Sequence, residues 1–143
     1  MSLSCIPFTG NFVILDFQGL ALDLTSALNG PLTTQFLGNP PSLNQQWELV
    51  PVNNGRVLVS GLSQLQSGKP VVIDMGANGS AFGAGNTGIS FNVTCTGGLS
   101  ATLVDNILGI ALTAAPLEGA STPVTFETFT GSSEQVWSLV ALD

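Results

Sequence analysis

Few side chains in this chain can do chemistry, and the missing ones narrow the field first. Histidine is absent, and Lys and Arg together number only 2. Without an imidazole the usual general base, the triad base and the commonest zinc ligand are all lost. Most hydrolase and metalloenzyme mechanisms are thereby excluded, and neither a metal site nor a cofactor is expected. Asp and Glu number 9, but a pair at glycosidase spacing cannot be picked out of the sequence. The run Gly83-Ala84-Gly85-Asn86-Thr87-Gly88 has the spacing of a dinucleotide-binding loop. It leads into the strand-like Ile89-Ser90-Phe91-Asn92-Val93, so a pyrophosphate would lack its helix N-terminus, and it reads as a glycine-rich loop. Asp23 stands apart. It follows the apolar run Leu20-Ala21-Leu22 and has no Lys or Arg near it in sequence. Such a carboxylate, placed after a buried strand, is either a solvated turn residue or an acceptor open to a ligand.

These residues must be positioned by one all-β domain. The chain has 143 residues, of which 44% are hydrophobic and 8% charged, which excludes disorder. Its 17 Gly and 8 Pro interrupt every stretch that could carry a helical apolar stripe. The net charge of −7 disfavours nucleic acid and anionic membranes as partners. The opening Met-Ser-Leu-Ser-Cys-Ile-Pro-Phe has neither a basic n-region nor an apolar core, and a cytoplasmic location is expected. In that setting Cys5 and Cys95 are expected as reduced, buried thiols. The sequons at Asn78 and Asn92 then read as coincidence. A mean hydropathy of +0.44 points to self-association, with a homodimer expected.

The chain repeats. Gly19-Leu20-Ala21-Leu22 returns as Gly109-Ile110-Ala111-Leu112, Phe36 as Phe126, and Gln45-Gln46-Trp47-Glu48-Leu49-Val50 as Gln135-Val136-Trp137-Ser138-Leu139-Val140. Each pair is 90 residues apart, with no gap needed. The offset leaves room for a shorter middle copy, in which Val71-Val72-Ile73-Asp74-Met75 fits Leu20-Ala21-Leu22-Asp23-Leu24 and Phe91 fits Trp47. Three copies, about 9–52, 53–98 and 99–143, are expected within a single domain 1–143. In the first, strands are predicted over Phe12 to Asp16, Leu20 to Thr25, Leu32 to Phe36 and Trp47 to Val50. Propellers need at least four blades, whereas a trefoil closes with three units of four strands and leaves no free edge. The predicted fold is therefore a β-trefoil, with an open β-sandwich as runner-up. Trp47 and Trp137 are predicted to fill the core, and Gln45 and Gln135 to bond nearby backbone.

At this level of detail the chain resembles a known family. Leu22-Asp23-Leu24, Asn29-Gly30, Phe36 and Asn44-Gln45-Gln46-Trp47 are similar to the ricin-B-type (QxW) β-trefoil lectin repeat. That repeat has an aspartate after a strand, an Asn-Gly turn, an aromatic and a terminal Asn-Gln-x-Trp. The match covers the whole first copy, thins to the aromatic and Gln-x-Trp in the third, and to Asp74 with an aromatic in the second. The chain is also similar to the single-domain lectins of fungi. The resemblance implies a non-catalytic carbohydrate-binding module for glycans, galactose-type sugars being favoured. Asp23, Phe36, Asn44 and Gln45 fall at its binding positions, and Asp74 marks a weaker candidate. A carboxylate can accept from vicinal hydroxyls, an aromatic covers an apolar C–H face, and an amide both donates and accepts. In the third copy Thr113 stands in place of Asp23 and Glu134 in place of Asn44.

A second function class stays open, that of a β-trefoil protease inhibitor acting through exposed loops. Its anchors for a trypsin-like target would be Arg56, after Asn54-Gly55, or Lys69, which Pro70 obstructs. The glycine-rich loop 76–88 would serve against cysteine or aspartic proteases.

Overall fold

The computed structural model describes residues 10–24, 30–62, 71–85, 88–117 and 121–142. Among the described residues, short apolar and β-branched runs between glycine turns form thirteen strands. They are β1 (Phe12–Leu15), β2 (Ala21–Leu24), β3 (Leu32–Gln35), β4 (Trp47–Pro51), β5 (Val57–Gly61), β6 (Val71–Met75) and β7 (Ala81–Ala84). Then follow β8 (Asn92–Gly97), β9 (Ser100–Asp105), β10 (Ile110–Thr113), β11 (Ser121–Pro123), β12 (Thr125–Thr128) and β13 (Val136–Ala141). The helical segments among the described residues are single 3-10 turns at Leu43–Gln45, Asn53–Gly55 and Ser133–Gln135.

Six strands close a barrel. β5, β4, β1, β13, β9 and β8 pair antiparallel in that order. The ring is completed where Val57 and Phe91 exchange backbone hydrogen bonds of 3.0 and 2.7 Å. The hairpins β2–β3, β6–β7 and β10–β12 join one another as a cap. Gly83 N donates to Gly30 O at 3.0 Å, Ala81 N to Val124 O at 3.1 Å, and Val124 N to Leu32 O at 3.1 Å. The cross-strand partners Phe12 and Trp47, Val57 and Phe91, and Ala101 and Trp137 occupy threefold-related positions. Trp47, Phe91 and Trp137 are buried together at the centre. The fold is an all-β trefoil of three four-strand units, with β11 an added strand beside β3.

The units are not congruent, and the gapless 90-residue correspondence fails between β10 and β12. Leu22 lies opposite Thr34, but its counterpart Leu112 lies opposite Phe126. Phe126 therefore takes the position of Thr34, and its ring is buried against Phe91, with centroids 6.0 Å apart. It is a core residue and no copy of Phe36.

Cys95 also departs from expectation. It sits exposed on β8, where the β8–β9 hairpin runs beyond the barrel, and it is disulfide-bonded. Cys5, Asn29, Lys69 and Pro70 lie outside the described residues.

Candidate functional site

Strand alternation sets the first-repeat site. Leu22 and Leu24 of β2 point into the core with Leu32 of β3, so Asp23 takes the opposite face. The register sets Asp23 across from Thr33, with Gln35 two residues further along the same face. Gln35 Nε2 donates to Thr33 Oγ1 at 3.0 Å. Asp23 is thus a residue within β2 and not a solvated turn residue after it, and it is only 7% exposed.

Gln45 flanks this carboxylate. It is buried in the 3-10 turn before β4, and its amide lies beside the Asp23 carboxyl. Gln45 Nε2 donates to Phe36 O at 2.9 Å, and Gln45 Oε1 accepts from Gly38 N at 2.9 Å. One amide thereby ties the end of β3 to the following loop, beside β2. Trp47 Nε1 donates to Leu22 O at 3.0 Å and fixes β2 from the core side. Burial pushes the Asp23 carboxyl above its ordinary value, and the Gln45 hydrogen bond opposes that rise in part.

The aromatic of the set behaves differently. Phe36 leaves the end of β3 and is 68% exposed, with Leu37 and Leu43 exposed beside it in the chain segment that Gln45 pins. Gln46 Nε2 donates to Pro41 O at 3.0 Å across the same loop, which contains the cis Asn39-Pro40 bond. Asn44 is half-buried and precedes Gln45 in its turn. Direct hydrogen bonds from Gln45 therefore fix the Phe36 segment, with Asp23 beside the same amide and Asn44 adjacent. Gln45 serves inside the protein, since both ends of its amide are engaged there. Sequence reasoning passed over Thr33 and Gln35, although the alternation along Leu32–Gln35 puts them on Asp23's face.

The second copy is built otherwise. Asp74 of β6 faces Phe82 of β7 directly, both are half-buried, and Asp74 Oδ1 accepts from Met75 N at 2.8 Å. The approach to Phe91 crosses β6 closely, with Ile89 N donating to Ile73 O at 3.0 Å. A Cβ on Gly88 would lie 2.4 Å from Ile73 O, so only glycine fits there. The third copy retains the tie without the carboxylate. Gln135 Nε2 donates to Thr128 O at 2.9 Å and to Thr113 Oγ1 at 3.3 Å, and its Oε1 accepts from Thr130 N at 2.8 Å. Two other acids, Asp16 just after β1 and Asp105 at the end of β9, are buried, and their carboxylates accept local backbone N–H groups.

No family model and no curated protein matches the chain by sequence. Solved structures match it in fold. The Rhizoctonia solani agglutinin is 17% identical, with a TM-score of 0.76 over 99% of this chain and 100% of its own. The Macrolepiota procera ricin B-like lectin, in complex with lactose, is 16% identical, with a TM-score of 0.68 over 99% and 100%. The chain has the β-trefoil fold that these lectins share. A designed threefold-symmetric protein, ThreeFoil, is 20% identical and reaches a TM-score of 0.78 over 94% of this chain and 100% of its own. Within this lectin fold the described candidate for a protease anchor, Arg56, is half-buried, and its Nη1 donates to Ser90 Oγ at 3.4 Å.

Proposed function

We propose that the protein is a non-catalytic, carbohydrate-binding lectin whose principal saccharide site is Asp23, Phe36 and Asn44 of the first copy, positioned by Gln45. The observation that carries this reading is the Gln45 amide, which bonds the exposed Phe36 segment and lies beside the nearly buried carboxylate of Asp23. Asp23 accepts from saccharide hydroxyls, Phe36 covers a C–H face, and Asn44 supplies an amide at the edge. The lactose bound by the Macrolepiota procera lectin supports a galactose-type ligand here. Asp74, facing Phe82, is the candidate for a weaker second site. A single site with a few net hydrogen bonds of about 0.5–1.5 kcal/mol each binds a monosaccharide weakly, so a homodimer would gain by avidity.

The experiment is a glycan array on the purified protein, followed by titration of an array ligand into wild type, Asp23→Asn and Asp74→Asn. Loss of binding in the Asp23 variant, with most retained in the Asp74 variant, is expected. Undiminished binding by Asp23→Asn moves the site elsewhere. An empty array together with inhibition of a protease returns the inhibitor reading.

A further inference from the structure

The face that carries Asp23 does not end at β3. The added strand β11, which belongs to the third copy, pairs with β3 in the register Ser121 to Gln35, Thr122 to Thr34 and Pro123 to Thr33. Cross-strand partners share a face, so Asp23, Thr33 and Pro123 form one row over three strands. On the opposite face Leu22, Thr34 and Thr122 form a buried row. The other two hairpins are bordered at the corresponding place by single bridges, Phe82 to Pro31 and Thr125 to Ser80. Among the described residues, the first-copy face is the one widened by a further strand.

The first copy holds this third-copy segment at two points. The hydroxyls of Thr34 and Thr122 hydrogen-bond each other between β3 and β11. Ahead of β11, Gln18 of the β1–β2 turn donates from Nε2 to Ala115 O at 2.9 Å, and its Oε1 accepts from Leu117 N at 2.6 Å. Asp16 Oδ2 steadies the same amide, accepting from Gln18 Nε2 at 2.9 Å. Exposure rises along the outer row: Asp23 is 7% exposed beside Gln45, Thr33 is half-buried and Pro123 is exposed. Two strand spacings, about 10 Å, separate Asp23 from Pro123, more than one pyranose ring spans. A saccharide that meets Asp23 therefore has open surface continuing across β3 to β11.

Resting on the lectin reading of this site, we propose that β11 adds a second saccharide subsite, so that the ligand is a glycan of two or more residues. The terminal residue sits at Asp23 and Phe36, and the next one lies over β3 and β11. There the Gln35 amide meets its hydroxyls and Pro123 packs on its C–H face. Gln18 is a positioning residue that acts through the segment it holds. The subsite is thus assembled from two copies of the repeat.

The test titrates wild type, Pro123→Ser and Gln18→Ala with lactose, melibiose, chitobiose and the tightest disaccharide on a glycan array, each beside the methyl glycoside of its terminal residue. Wild type should bind at least one disaccharide about five- to tenfold more tightly than the matched glycoside. Pro123→Ser should cut that gain by about two- to threefold, and Gln18→Ala should cut it too, with glycoside binding unchanged in both. Unchanged glycoside binding also shows that each variant is folded. A gain that Pro123→Ser leaves whole overturns the subsite, as does a wild type that binds every disaccharide no more tightly than its glycoside. Either result leaves the lectin reading intact. Equal losses for glycoside and disaccharide in Pro123→Ser would give Pro123 a purely structural role and overturn the subsite as well. Binding of neither these saccharides nor any array glycan removes the lectin reading and the subsite with it.

Discussion

The first and third copies make the same tie with different consequences. In both, a glutamine two residues before the core tryptophan bonds the end of one strand and the loop after it. In both, the tryptophan donates to the carbonyl of a leucine, Leu22 or Leu112. The residue after that leucine differs: the carboxylate of Asp23 lies beside Gln45, whereas Gln135 bonds the hydroxyl of Thr113. The exposed ring differs too: Phe36 has no aromatic counterpart in the third copy, where Phe126 takes the place of Thr34 and is buried. The tie thus belongs to the trefoil, while the carboxylate and the exposed ring are local additions that a copy can lack without losing its structure.

The largest expected effect sharpens the shared half of this comparison. Trp47→Ala and Trp137→Ala should each destabilise by about 3–5 kcal/mol, because both empty a large site in the same core. Denaturant unfolding measures it, and a loss below about 1 kcal/mol in either would break the equivalence of the two copies. The unshared half should show in binding. Asp23→Asn should weaken saccharide affinity by about 1.5–3 kcal/mol, the worth of hydrogen bonds to a charged acceptor, and Thr113→Val should leave it unchanged. Titration with an array ligand decides, and equal losses would mean that both copies bind.

Smaller effects are expected at the tie itself. Gln45→Ala and Gln135→Ala each strand buried backbone groups and should cost about 1–2 kcal/mol of stability. Only Gln45→Ala should also lower saccharide affinity, since only it releases a carboxylate. If both variants bind as wild type does, Gln45 positions nothing that a ligand uses.

How far the sequence reveals these features follows from the range of the forces involved. The strands of the first copy, the three central aromatics and the backbone bonds of the glutamines all follow from local apolar pattern and repeat spacing. The two-residue displacement of Phe126 does not, because it is set by cross-strand register between β10 and β12, and the repeated aromatic letter conceals it. Asp23 is legible as a special residue but not as a buried one. Its burial depends on Gln45, which is distant in the chain, and no periodicity encodes that contact. Thr33 and Gln35 were within reach of alternation alone. The disulfide at Cys95 was not, since neither apolar pattern nor repeat spacing encodes the pairing of a cysteine.

The smallest expected effect separates the copies by a proton. Burial raises the Asp23 carboxyl above its ordinary 3.8, while Thr113 has nothing to titrate. A raised acid binds its proton in the folded state where the unfolded chain has lost it. Between the ordinary value and the folded one, stability therefore falls as pH rises, and above the folded value the cost of the buried charge stays constant. Asp23→Asn removes that cost. It should be as stable as wild type or slightly more so at neutral pH, with the advantage gone in acid below the ordinary carboxylate value. Saccharide binding runs the other way, because the ionised carboxylate is the better acceptor. On acidification, affinity should begin to fall at a pH above that of an ordinary aspartate and level off at the loss expected for Asp23→Asn. Thermal unfolding and ligand titration across the acid range, on wild type and Asp23→Asn, measure both trends. Binding that persists undiminished down to the ordinary aspartate value would mean that the carboxylate of Asp23 is not what the saccharide meets, and the first copy would then be no different from the third.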